Sequence, residues 1–348
     1  MNSNIFKELA MEELGQKQQM SLDEKIEYAK VKIVEFVEAV GGEDKAFVSF
    51  SGGKDSTVLL HLVRSIYPNV KAVFFNTGLE FPEIVRFAKT IDNVVFMTPK
   101  KRVNEVWRDY GVPAVSKETS NYIHDVRTST DKMIDKRLNY RNSYSLSKKW
   151  IHLCDKDFTP YPISNKCCQY FKKDLSADYV KEHNAYPIIG TMANESSLRL
   201  NSWLRHSCNM FGGKKIQSRP LSIWLEKDIW SYIETFNIEI CQLYYQGYER
   251  TGCFLCPFGA HLEDRRTGTN RFEKLKESHP NQYKALDKLG IKQVLLDMGV
   301  SIRNDEEYMT QLAERQLEVE KWYIKVGNDI ALHGEESEYW KYNKYFQC

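Results

Sequence analysis

Phe50-Ser51-Gly52-Gly53-Lys54-Asp55-Ser56-Thr57 joins a short apolar run, Lys45-Ala46-Phe47-Val48-Ser49-Phe50, to a stretch where Val58, Leu59, Leu60, Leu62 and Val63 fall at helical spacing. The pattern predicts a strand, a tight turn and a helix. Two adjacent glycines let the backbone turn sharply and approach a ligand without Cβ interference. The first N–H groups of the helix have no partner within it, and the helix dipole there favours an anion. Lys54 adds a full positive charge, and Ser51, Ser56 and Thr57 add hydroxyl donors. The plainer alternative is an ordinary capped helix after a Gly-Gly turn. Glycines, lysine and hydroxyls converging at a strand end favour a phosphate site, because open α/β sheets bind ligands there.

Outward from this turn, Val70-Lys71-Ala72-Val73-Phe74-Phe75 and Val94-Val95-Phe96-Met97 read as further buried strands, and Ala185 to Gly190 as a fourth. Helix-length segments separate them, which implies βαβ units and a parallel sheet. Ser21-Leu22-Asp23-Glu24 opens a helix with a capping-box pattern, ended by Gly41-Gly42. The expected organisation is an N-terminal helical arm (1–42), an α/β domain (43–260) with a helical insertion at 100–165, and a helical C-terminal region (261–348). Helices are expected over Lys166 to His183, Leu225 to Phe236, and about Asp305 to Val326. The tail from Glu338 to Cys348 has no assignable structure.

The 348 residues are 42% hydrophobic and 28% charged, a globular composition. A net charge of +2 gives no global attraction to nucleic acid or membrane. No run approaches the ~20 apolar residues of a membrane span, and the polar N-terminus does not read as a signal peptide. A cytoplasmic location is expected, where cysteines stay reduced.

Of eight cysteines, four fall in two close groups: Cys167-Cys168, and Cys253-Phe254-Leu255-Cys256 in a turn. Two such groups suit a four-thiolate site for an iron–sulfur cluster or zinc, with no metal as the third possibility. Adjacent cysteines strain a tight tetrahedron but can reach different irons of a larger cluster. Cys348 is a distal thiol, either a nucleophile in a positive environment or a tail residue without a role.

These residues together resemble the phosphoadenosine phosphosulfate (PAPS) reductase family of the PP-loop superfamily. Ser51-Gly52-Gly53-Lys54-Asp55-Ser56 resembles the family's pyrophosphate loop. Asn76-Thr77-Gly78-Leu79-Glu80-Phe81-Pro82-Glu83 is similar to its Asp-Thr-Gly-x-x-Phe-Pro-Glu segment, with Asn76 in place of Asp. Gly190 to Arg199 resembles its Gly-x-Arg-x-x-Glu-Ser-x-x-Arg element through Glu195, Ser196 and Arg199, with Met192 where an arginine is usual. Arg219-Pro220-Leu221 with Trp224, Asp228 and Trp230, and Tyr244 to Cys256, resemble two further segments. The resemblance covers roughly residues 45–260.

The resemblance implies an α/β doubly wound parallel sheet of the adenine nucleotide α-hydrolase-like type, with a helical insertion and a mainly helical C-terminal extension. It implies an adenine nucleotide held by Ser51, Gly52, Gly53, Lys54, Asp55, Ser56, Asn76, Thr77, Gly78, Gly190, Glu195, Ser196, Arg199 and Arg219, with Lys54, Asp55, Lys172 and Cys348 as catalytic candidates. The cysteine layout resembles the set holding a [4Fe–4S] cluster in adenosine phosphosulfate (APS) reductases, and Lys172 matches a lysine of that pattern.

Two enzyme classes follow. One is an ATP-dependent sulfurtransferase, using Mg²⁺, a sulfur donor and an acceptor that includes nucleic acid as an option. The other is an APS or PAPS reductase served by a thioredoxin-like reductant. The intact loop suits ATP, and the reductases' C-terminal Glu-Cys-Gly-Leu-His motif is absent around Cys348. A nucleotide-sensing regulator without turnover is the non-enzymatic alternative.

Overall fold

The structure, a computed structural model, describes residues 3–139, 144–212 and 215–346. The chain divides into two compact units, Met1–Pro99 with Phe171–Gly252, and Lys100–Tyr170 with Cys253–Cys348.

The first unit is built on a sheet of β1 (Ala46–Phe50), β2 (Lys71–Phe75), β3 (Val94–Met97), β4 (Tyr186–Ile189), β5 (Asn209–Met210) and β6 (Gln217–Ser218). Its order is β3-β2-β1-β4-β6-β5. The pairs from β3 to β6 are parallel, and β5 closes one edge antiparallel to β6. The expected α/β parallel architecture is therefore present, with a short antiparallel edge. Phe47, Val48 and Val73 are fully buried, as befits parallel strands covered on both faces. In register, Phe50 stands opposite Phe74 and Ser49 opposite Ile189. The C-terminal ends of β2, β1 and β4 consequently lie side by side.

Helices α1 (Ser3–Gln18), α2 (Leu22–Val40), α3 (Lys54–Arg64) and α4 (Pro82–Thr90) flank these strands in sequence. The capping box of α2 forms as its sequence implies: Ser21 accepts from the Glu24 N–H, and Glu24 accepts from the Ser21 N–H. Gly41 ends the helix at φ +102°. Lys25 of α2 is buried and meets Asp228 of the helix Glu226–Thr235 at 2.7 Å. The helix expected over Lys166 to His183 forms as three consecutive segments, Lys166–Cys168, a π-helical Gln169–Asp174, and Leu175–His183.

The second unit is helical. Val112 bridges to Ile163, and Gly111 leaves no room for a Cβ against the Pro162 carbonyl at 2.8 Å. Asp297 gathers Arg315 (2.6 Å), the Tyr161 hydroxyl and Gln293. Trp322, on the 28-residue helix Glu306–His333, donates to Asp155 at 2.7 Å. The tail residues Trp340–Tyr345 form a 3-10 helix. Residues 100–165 and the helices after 261 thus contribute to one shared core.

Candidate nucleotide site and cysteine set

The glycine turn sits between β1 and α3 as its sequence implies. Gly52 has φ +71°, and a Cβ there would meet Ile84 at 3.0 Å. A Cβ on Gly53 would fall 2.4 Å from the Thr251 hydroxyl. The hydroxyls of Ser56 and Thr57 both donate to the Gly53 carbonyl, at 2.9 and 3.0 Å, and the Ser51 N–H donates to the Ser56 hydroxyl at 3.1 Å. These bonds hold the turn's backbone in one shape. The Lys54 N–H, the first of α3, donates to the Tyr244 hydroxyl at 2.8 Å.

Lys54 is 5% exposed. Its ammonium lies 3.3 Å from Glu226 and 3.6 Å from Asp55, and 5.8 and 5.6 Å from the ring centres of Trp230 and Tyr244. Burial opposes the charge, but Asp55, Tyr244 and Glu226 outweigh it and hold the pKa above its usual value. Asp55 is pushed up, chiefly by burial, against the pull of Lys54 and Arg199. Its buried Oδ1 makes no hydrogen bond.

The other loops named by sequence range along the same strand ends. After β2, Glu80 accepts from the Thr77 N–H at 2.8 Å and from its hydroxyl, and the Gly78 N–H donates to Asn76 at 3.1 Å. After β4, a Cβ on Gly190 would meet the Asp55 carbonyl oxygen at 2.9 Å, so glycine lets β4 exit directly against the first turn of α3. Glu195 accepts from the Met192 N–H at 2.6 Å and pairs with Arg199, and Ser196 caps the helix Ser197–His206. After β6, Arg219 is 7% exposed and donates from Nη1 to Ser202, while its buried Nε and Nη2 have no hydrogen-bond partner. Burial lowers its pKa. Two buried donors of a permanent cation left open are the chemistry of an anion site.

A cavity of about 540 Å³ reaches the turn at Phe50 and Ser51. Phe75, Ile84, Val180 and Ile189 give it apolar walls, and Lys172, Lys173, Lys181 and Lys215 supply charge. Lys172 lies in the π-helical segment, a local irregularity frequent at functional sites. Sequence reading assigned no role to Tyr244, Thr251, Glu226 or Lys181. Only the chemical type of Tyr244 and Trp230, inside quoted motifs, offered a signal.

In the second unit, Cys167 is buried and Cys168, Cys253 and Cys256 are partly so. The Cys167 thiol is raised by its hydrogen bond with Cys168, by burial, and by Cys256 and Cys253. Cys256 is pushed up to about 12 by burial and Cys253. The four thiols thus lie within one another's fields. The Cys256 N–H closes the turn on the Cys253 carbonyl at 3.0 Å, and Arg271 donates to the carbonyls of Cys256 and Phe258 at 3.1 and 3.2 Å. Among the described residues, no three or more His, Cys, Asp or Glu converge as they would on a single metal ion. Among these residues, neither the Mg²⁺ nor the four-thiolate site expected from sequence therefore has a closed ligand set. Cys348 lies outside the described residues.

A glycine turn at the centre of a parallel sheet, with loops ranged along one edge, defines a PP-loop nucleotide-binding fold. The chain belongs to the phosphoadenosine phosphosulfate reductase domain family, whose model matches residues 45–258. An uncharacterized protein of Methanocaldococcus jannaschii is 26% identical over 235 residues, covering 67% of this chain and 40% of that one. A sulfate adenylyltransferase subunit 2 of Chromohalobacter salexigens is 24% identical, covering 56% and 58%. An adenosine 5′-phosphosulfate reductase of Shouchella clausii is 25% identical, covering 65% and 76%. The chain thus spans only about half the length of the first two relatives. No helix among the described residues is long and apolar enough to cross a membrane.

Proposed function

We propose that this chain is an ATP-dependent, pyrophosphate-releasing sulfurtransferase whose nucleotide lies at the Ser51–Ser56 turn. The observation that carries the reading is the intact turn with Lys54 held charged beside it. An acceptor oxygen attacks the α-phosphorus, the bond from that phosphorus to the bridging oxygen breaks, and pyrophosphate leaves. A sulfur nucleophile then displaces AMP from the adenylated acceptor. The backbone and hydroxyls of the turn bind the β- and γ-phosphates, and Lys54 exchanges Glu226 for a phosphate oxygen as charge builds on the leaving group. Arg219 offers its open donors to the phosphate chain, with Arg199 beside Asp55. Mg²⁺ would arrive with the phosphates, since it commonly takes one or two carboxylates plus phosphate oxygens rather than a protein cage. Asp55, whose Oδ1 has only the Lys54 ammonium at 3.6 Å, would be the carboxylate to meet it.

Cys167, Cys168, Cys253 and Cys256 are the residues to hold a [4Fe–4S] cluster. Four thiols in mutual range suit it, and a four-iron core spaces its thiolates more widely than one zinc ion does. Bound there, the cluster supplies a place to carry or activate sulfur. Lys172 lies four residues past Cys168 in sequence.

A second reading, an APS or PAPS reductase producing sulfite with a thiol reductant, is favoured by the relative of that name in Shouchella clausii. Incubation with ATP separates them. Pyrophosphate release is the expected result; sulfite from labelled APS or PAPS, with ATP inert, would overturn the sulfurtransferase reading.

A further inference from the structure

The cavity beside the phosphate turn extends further than that turn requires. It runs along the sheet beside the helix Leu175–His183, from Ser51, Thr251 and Lys172 at the strands' C-terminal ends to Lys181, Tyr186 and Lys215 at the other. Topology fixes that direction. The helix turns through Asn184, at φ +48°, and enters β4 at Tyr186. Ile188 of β4 pairs with Ser218 of β6, so Lys215 precedes β6 at the level where β4 begins. Lys173, Ser176, Ala177, Val180 and Lys181 recur at helical spacing and present one helix face to the cavity. Eight residues of helix separate the two ends by about 12 Å.

Charge is placed at both ends of this apolar trench. Lys172 and Lys173 stand at the turn, and Lys181 and Lys215 stand at the far end. Glu80 is the one carboxylate among the lining residues, and its oxygens already accept from Thr77. Lys181 and Lys215 have neither an ion-pair nor a hydrogen-bond partner among the described residues. A surface lysine usually lies alone in solvent. Lys181 and Lys215 are both exposed, but they flank the same end of an apolar-walled trench, and two like charges there raise a positive field over whatever occupies it.

We infer that Lys181 and Lys215 form a second oxyanion-binding pole, so that the cavity takes two anionic groups about 12 Å apart. The first is the nucleotide phosphate at the turn, and this part rests on the function proposed above. The second is a phosphate or sulfate group, either on the same molecule or on a separately bound acceptor.

Calorimetric titration of the full chain at constant ionic strength, with AMP, AMP plus inorganic phosphate or sulfate, and the dinucleotide pApAp, tests this. If the second group is covalent, pApAp binds at least ~10-fold tighter than AMP. If it is separate, the inorganic anion binds the AMP-saturated protein. In either case the Lys181→Gln/Lys215→Gln variant loses the gain by about 10-fold, and Lys181→Arg/Lys215→Arg restores it. AMP alone binds the wild type and both variants within about twofold. Wild-type behaviour of the glutamine variant with every probe overturns the pole and leaves the sulfurtransferase reading standing. Lysine-dependent oxyanion binding without pyrophosphate release from ATP does the reverse.

Discussion

The backbone N–H of Lys54 donates to the hydroxyl of Tyr244 across 190 positions of sequence, at 2.8 Å. That N–H is the first of α3, where a ligand phosphate oxygen would otherwise bond. If the nucleotide lies at this turn, as proposed, Tyr244 occupies the position of a phosphate oxygen and yields to it on binding. Tyr244→Phe should tighten binding of pyrophosphate or ATP by about fivefold, the worth of one net hydrogen bond of ~1 kcal/mol. Isothermal titration of the two proteins reads the sign directly, and weaker binding by the variant would assign the hydroxyl to the ligand instead.

Gly190→Ala should destabilise the first unit by ~1–3 kcal/mol, the usual cost of overpacking. Its Cβ would meet the backbone of Asp55 at 2.9 Å, and backbone cannot swing aside as a side chain can. Chemical denaturation measures the loss, and nucleotide affinity should fall with it because the same contact positions the first turn of α3.

Lys25 and Asp228 form a buried pair at 2.7 Å, and Asp228 also accepts from the Leu225 N–H at 2.7 Å. Asp228→Asn leaves a buried ammonium without its counter-charge and should cost ~3 kcal/mol. Adding Lys25→Met should recover most of that loss. Equal stability of the single and double variants in urea would show that the pair does not couple.

Glu273 should govern part of the acid limb of stability in the second unit. Burial alone would raise its pKa, but hydrogen bonds from Arg303, Thr269 and the Asn270 N–H hold it at about 2. A carboxyl depressed in the folded state contributes stability above its unfolded pKa of about 4.5 and loses it as pH falls toward 2. Glu273→Gln should therefore be less stable than wild type at pH 7, and the gap should close between about pH 5 and pH 2. Thermal unfolding across that range tests the sign.

If the four cysteines hold a [4Fe–4S] cluster, anaerobically purified protein should contain about four irons and four sulfides per chain. Cys256→Ser should lose most of both. Stoichiometric zinc, or iron unaffected by the substitution, would remove the cluster from the proposed function.

The legible part of this protein was local. The turn at Gly52-Gly53, the caps at Ser21 and Gly41, and the apolar runs of β1 to β4 each carry their cause within a few residues: backbone freedom, a hydroxyl in reach of an N–H, or a side-chain period. The strands β5 and β6 were missed because two residues cannot display an alternation. The π-helical segment around Lys172 escaped because one residue more per turn scarcely disturbs the apolar spacing of a helix.

By itself, the sequence determined that a glycine turn joins a buried strand to a helix, that a parallel sheet surrounds it, and that the chain resembles one family. The turn could be read so because its geometry follows from residues adjacent in the chain. Only the tertiary structure decided what covers the turn and what lies beyond it. It placed Tyr244 on the Lys54 N–H, Thr251 against Gly53, Glu226 beside the Lys54 ammonium, and Lys181 with Lys215 at the far end of the cavity. Such partners are chosen by packing between segments far apart in sequence, and no local propensity records that choice.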